Sequence, residues 1–234
     1  MPTHRPAEFD AFAPGYDAGM SDPVKRIVGG SADTFLEHKA EWLLRNVPAA
    51  GRLLDFGCGT AGFLRALRRR DAPLELVGCD VASGMIEEAR RRWDDGPPPA
   101  LHAVAPGSLP FADGEFDLAT AVCVLHHVAP RERPAIVCEM MRVVRPGGAV
   151  VLFEHNPRNP ITRWMVGRAP IDANAVLLTA AECNWLLREA GAVGCRTEYI
   201  LFFPPSVRRL WRLEALLGRL PLGGQYVAVG SRPR

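Results

Sequence analysis

Two groups of residues have the types and spacing that chemistry requires. The first is Asp55-Phe56-Gly57-Cys58-Gly59-Thr60-Ala61-Gly62, followed by Asp80 at the end of the apolar run Leu74-Glu75-Leu76-Val77-Gly78-Cys79. A Gly-x-Gly-x-x-Gly turn between a strand and a helix lets the backbone approach a ligand and presents the free N–H groups of the helix start, so it serves nucleotide-type cofactors. The second group is His126-His127 with Glu154-His155-Asn156. An imidazole beside a carboxylate accepts a proton near neutral pH, which suits these residues to removing a proton from a reacting group.

The charge pattern around the glycines narrows the cofactor. Asp55 stands two residues before Gly57, where an acid can face a cationic amino group but would repel a pyrophosphate. That pattern fits S-adenosylmethionine (SAM). Asp80 lies at about the distance from the turn at which such folds place a carboxylate on ribose hydroxyls.

These residues need a scaffold that brings strand ends together. Strand signals fall at 52–56, 74–79, 100–104, 116–122, 148–154, 195–202 and 225–230, with helices near 61–70, 83–92, 131–144 and 179–190. Such alternation predicts an α/β fold with a parallel sheet covered by helices on both faces. Pro134 sits in the first turn of the helix near 131–144, and Ile136, Val137, Met140, Met141 and Val144 give it an apolar face. An earlier helix is marked by Phe35, Trp42 and Leu43 behind Ser31 or Asp33 as a cap.

Composition bounds the rest. At 234 residues and 48% hydrophobic content the chain fills one core and falls short of two ordinary domains. A net charge of +2 and the lack of a basic stripe with interleaved aromatics predict no nucleic-acid partner. All but two of the 28 basic residues are arginine, the lysines being Lys25 and Lys39. The six cysteines are widely spaced with no C-x-x-C pair, so no metal site is expected and the thiols read as buried groups of a reducing cytosol. Neither a signal peptide nor a transmembrane run is visible, so a cytoplasmic location without stable membrane insertion is expected.

Four ordered motifs carry a family resemblance. Besides the glycine turn and Asp80, Leu109-Pro110-Phe111 leads to Phe116-Asp117, the next strand closes on Cys123-Val124-Leu125-His126-His127-Val128, and Met141-Arg142-Val143-Val144-Arg145-Pro146-Gly147-Gly148 leads into the fifth strand. Over roughly residues 51–155 the chain resembles the class I SAM-dependent methyltransferases. The opening Phe9-Asp10-Ala11-Phe12-Ala13-Pro14-Gly15-Tyr16-Asp17 is similar to that of the stand-alone, small-molecule (type 11-like) subgroup.

The resemblance implies a Rossmann-like, doubly wound sheet of seven strands with the last antiparallel, Gln225 to Gly230 filling that place. It implies one domain over 1–234: an N-terminal cap (1–47), a SAM-binding core (48–155), a cap insertion (156–178) and the rest of the sheet (179–234). SAM would be held by Asp55, Gly57, Cys58, Gly59, Asp80, Val81, Met85, Ser108, Leu109 and Cys123, with Tyr16 as a lid. Many relatives carry an acid where this chain has Ala105, which shifts adenine recognition toward backbone near Gly107, Ser108 and Leu109.

The catalytic candidates are His126, His127, Glu154 and His155, with His126 and Glu154 expected to act as a proton-accepting pair. The expected acceptor is a small molecule, a glycan or secondary-metabolite intermediate methylated on oxygen. N- or C-methylation, an NAD-linked oxidoreductase and a non-catalytic SAM-binding module are the alternatives. The basic segment 206–220 is expected to dock Leu210, Trp211, Leu213 and Leu217 on its own domain, with a membrane-surface role as the other reading.

Overall fold

The computed structural model describes residues 9, 10, 13, 32–48 and 51–234. Seven strands form one sheet: β1 (Gly51–Phe56), β2 (Leu74–Asp80), β3 (Ala100–Ala103), β4 (Phe116–Val122), β5 (Val144–His155), β6 (Val193–Ile200) and β7 (Gln225–Ser231). Their spatial order is β3-β2-β1-β4-β5-β7-β6. Strands β1 to β5 pair parallel, whereas β7 runs antiparallel to both β5 and β6. The expected doubly wound sheet with a reversed last strand is therefore the observed fold.

The strands read as continuous apolar runs because both faces of the sheet are covered. Successive residues divide between two cores. Leu54, Val77, Ala119 and Leu152 lie in one cluster, with Val137 and Met140 of one helix and Leu187 of another, while Leu53, Leu76, Leu118 and Phe153 lie in the other, with Leu43 and Leu64. The first face is thus packed by α4 (Arg133–Val143) and α6 (Ala180–Glu189), and the second by α1 (Ala32–Asn46), α2 (Gly62–Arg68) and α3 (Ser83–Arg92). Since consecutive strand residues point to opposite faces, a one-residue slip would exchange the two cores.

Two connections from the second half of the chain bear on the site. After β5, Asn159 caps α5 (Pro160–Val166) by accepting from the amides of Ile161 and Thr162, and a 3-10 turn follows at Pro170–Asp172. Between β6 and β7, Pro205–Leu213 is a 3-10 helix that runs into α7 (Glu214–Leu217). Docking of that segment differs from expectation. With three residues per turn, every third residue shares a face, so Trp211 and buried Glu214 turn inward while Leu210 (39% exposed) and Leu213 (47%) face water.

Candidate functional site

The glycine turn is built mainly by the backbone. The amides of Gly57 and Cys58 both donate to the carbonyl of Cys79, at 2.8 and 3.0 Å, which ties the turn to the end of β2. Gly57 has φ +69°, and a Cβ there would stand 2.7 Å from the Val124 side chain. The residue must therefore be glycine for conformational and packing reasons before any ligand is considered. A Cβ on Gly62 would lie 2.7 Å from the Leu36 side chain. Its smallness serves the approach of α1.

Asp80 occupies the centre of this arrangement. Its Oδ2 accepts from the Gly59 amide at 2.8 Å and its Oδ1 from the Ala82 amide at 2.9 Å. Burial pushes its pKa up, and the backbone donors oppose that rise. Each oxygen keeps acceptor capacity after one N–H bond, so the carboxylate can also receive two ligand hydroxyls.

A cleft opens above these atoms, lined by Gly57, Gly59, Asp80, Val81, Met85, Ser108, Leu109 and Cys123 among the expected cofactor residues. Phe9, Ile136, Glu139 and Ile171 also line it, as does His127 from the catalytic candidates. Glu139 fixes the Ser108–Leu109 wall by accepting from the Leu109 amide at 3.0 Å. This donor set fits SAM: a half-buried carboxylate for the ribose, apolar side chains for a flat base, and a turn free of side chains.

Two expected cofactor residues sit behind the cleft wall. Asp55 is 2% exposed, accepts from Thr120 Oγ1 at 2.8 Å, and is pushed up to about 7 chiefly by burial. The Cys58 thiol packs inward, where a Cβ on Gly78 would come within 2.8 Å of its sulfur, and burial raises its pKa. Tyr16 lies outside the described residues.

The histidine group gathers where β4 and β5 end. Glu154, fully buried, uses Oε1 to accept from the amides of Val124 (3.1 Å) and Leu125 (2.7 Å), and Oε2 lies 2.6 Å from His126 Nδ1. On the other side of His126, Asp172 Oδ1 stands 3.5 Å from Nε2. Burial alone would lower the His126 pKa, but the Glu154 carboxylate, helped by Asp172, raises it to about 10. His126 is therefore an imidazolium held between two carboxylates.

His127 behaves oppositely. Burial, and then the neighbouring His126 charge, lower it to about 4, so its imidazole is neutral at physiological pH. Its Nε2 lies 3.4 Å from Asp172 Oδ1. His155 lies behind the cleft lining, with Nδ1 3.2 Å from Gln225 Nε2. The ligand atoms of His126, His127 and Asp172 lie within 4.8 Å of one another, as a metal-ligand set would. As an imidazolium, His126 directs Nδ1–H at Glu154 and Nε2–H at Asp172, so neither ring nitrogen offers a lone pair to a metal.

Sequence reasoning missed Asp172, Glu139, Lys39 and Gln225. Lys39, 3% exposed on α1, places Nζ 3.2 Å from Cys123 Sγ. Its standing as one of two lysines among 28 basic residues was the available signal. Asp172 had none, because it reaches the site from a segment without a motif.

Comparison with known proteins agrees with this geometry. A family model described as a methyltransferase domain matches residues 53–148. A demethylmenaquinone methyltransferase of Parafrankia sp. is 35% identical over 202 residues, covering 77% of this chain and 72% of that protein. Another demethylmenaquinone methyltransferase, from Beutenbergia cavernae, is 36% identical over 143 residues, which span 58% of this chain and 57% of the relative's length. Among solved structures, a SAM-dependent methyltransferase of Thermotoga maritima, a possible histamine N-methyltransferase, superimposes with a TM-score of 0.71 at 21% identity, covering 98% of this chain and 100% of that one.

Proposed function

Since the chain belongs to the class I SAM-dependent methyltransferase family, we propose that it methylates a small organic acceptor bearing an ionisable hydroxyl, with His127 receiving the hydroxyl proton. SAM supplies an activated methyl group, so the protein's task is alignment and proton removal. The observation that carries the reading is the contrast within the pair: His127 lines the cleft as a neutral imidazole, while His126 is buried and charged.

A base with a pKa near 4 is weak toward a free hydroxyl. It suffices here because an oxygen becomes strongly acidic as it is alkylated, so the proton falls to a neutral imidazole as the new bond forms. With Asp172 beside Nε2, the neutral ring keeps its proton there and offers the Nδ1 lone pair. The expected His126–Glu154 pair takes a positioning part in this reading. Glu154 locks His126, and the His126 charge keeps His127 unprotonated. Asp80 holds the ribose through charge-assisted hydrogen bonds, and residues 156–178 carry Asp172 to the acceptor side.

O-methylation remains the first reading, with a glycan or secondary-metabolite intermediate as acceptor. The relatives favour a second: demethylmenaquinone methyltransferases by name, they point to a quinol ring, where loss of the hydroxyl proton activates a ring carbon. Both need the same base. The test is formation of S-adenosylhomocysteine (SAH) across a panel of sugars, phenols, hydroquinones and amines, with the product's methyl position read by NMR. Turnover confined to hydroxyl-bearing acceptors and lost in His127→Ala is expected. Turnover on amines alone, or an unimpaired His127→Ala enzyme, contradicts the proposal.

A further inference from the structure

Cys123 follows β4 with φ +59° and lines the cleft as a half-buried residue. Its sulfur is the centre of a polar cluster drawn from three elements. Lys39 Nζ of α1 stands at 3.2 Å, and Gln225 Nε2 of β7 stands at 3.6 Å and also meets His155 Nδ1 of β5. Gln225 is only 7% exposed, yet its Oε1 has no partner. A buried amide oxygen left unsatisfied carries a cost, and it marks a place beside the sulfur where a donor-bearing group could be received.

We propose that Cys123 is a nucleophilic thiolate held by the Lys39 ammonium, and that the cleft is a site of covalent modification by soft carbon electrophiles. The proposed cofactor role of the cleft does not use this reactivity, so the inference goes beyond the methyl-transfer reading. Reactive thiols sit next to cations in partly open surroundings, whereas buried structural thiols are inert. The other cysteines supply the contrast. Cys58, Cys79 and Cys183 are buried with raised pKa values, and Cys138 is exposed.

The charged and titratable groups facing Cys123 are Lys39 on α1, Glu154 and His155 on β5, and His126 following β4, while Asp55 on β1 faces Lys39. Burial and the Glu154 charge would raise the thiol. Lys39 and His155 outweigh them and bring it down to about 6. Asp55 also interacts with Lys39, and burial raises it to about 7, so below that pH it is mostly neutral. In the reaction the thiolate lone pair attacks the electrophilic carbon, the C–S bond forms, and the carbon–halogen bond breaks with departure of halide. The adduct then occupies the cleft.

The experiment is alkylation of the whole protein with iodoacetamide from pH 5 to 9, with each cysteine's rate followed by peptide mass mapping. A free thiol has a pKa of about 8.5, so at pH 6 Cys123 holds roughly 160 times more thiolate than a free thiol, and lower intrinsic nucleophilicity trims this to about tenfold faster labelling. The expected result is a Cys123 rate profile with its midpoint near 6, protection by SAH, and loss of SAH binding after modification. Lys39→Met should move the midpoint above 8, and Lys39→Arg should restore part of the shift. A Cys123 midpoint at or above the free-thiol value of about 8.5 in the unsubstituted protein, or one indifferent to Lys39→Met in a folded variant, overturns the proposal. The family reading stands or falls separately, on SAH binding to unmodified protein.

Discussion

The turn at β1–α2 and the cluster at the ends of β4 and β5 are built on opposite plans. Around Asp80 nearly every polar partner is a backbone amide close to the motif: Gly59, Ala82, and the Cys79 carbonyl that holds the turn. Around His126 the partners are charged side chains from separate strands and loops, Glu154 and Asp172. Backbone donors cannot titrate or leave, so the first region is a fixed receptor. Side-chain charges can be exchanged, so the second can tune protonation, holding one histidine charged and its neighbour neutral. In the proposed reading the fixed half serves the cofactor and the tuned half the acceptor.

Removing the carboxylate that anchors the tuned half should have the largest effect. Glu154→Gln leaves the buried His126 with only the more distant Asp172 as counter-charge, and breaking a buried pair costs about 3–5 kcal/mol. Urea unfolding at pH 7 measures it. The pH dependence has a definite sign. The folded pKa of His126 is raised from an ordinary 6.5 to about 10, so its contribution is complete below 6.5 and is lost as pH rises through about 10. The unsubstituted protein should lose stability across that window while Glu154→Gln loses much less; parallel profiles would sink the pairing.

A smaller effect separates the two histidines. His127→Ala should lower turnover about a hundredfold, roughly 2.7 kcal/mol, with SAH affinity unchanged. Because burial and His126 depress His127 to about 4, the acid limb of the rate profile should lie below pH 5. A limb near 6.5, absent in His127→Ala, would show an imidazole of ordinary basicity and break the contrast. Asp172→Asn should move that limb, since its carboxylate touches both rings.

The smallest of the principal effects belongs to the fixed half. Asp80→Ala should weaken SAH binding at least tenfold, from the loss of charge-assisted bonds worth about 1.5–3 kcal/mol each, and should leave the turn folded through the Cys79 carbonyl. Unchanged affinity would mean that another group holds the ribose.

The same contrast explains what could be read from the chain. Strand signals at 52–56, 74–79 and 116–122 match β1, β2 and β4 closely, because strands buried on both faces are plain apolar runs. The loop and Asp80 were legible because local geometry demands those residue types in order. Asp172 was not, since only the fold brings a residue after β5 beside His126. The charge difference between His126 and His127 was equally hidden, for two adjacent identical residues differ only in what surrounds them. Docking of 206–220 was misread by assuming a helix with 3.6 residues per turn where a 3-10 helix sorts residues in threes.

Calorimetric titration of SAH into the purified protein tests the central claim most directly, because every assignment depends on a SAM-type ligand in the cleft above Asp80. The account predicts one site per chain, micromolar affinity of about −8 kcal/mol, no heat with NAD, and at least tenfold weaker binding in Asp80→Ala. A folded protein that gives no SAH heat, or that binds NAD instead, would contradict it.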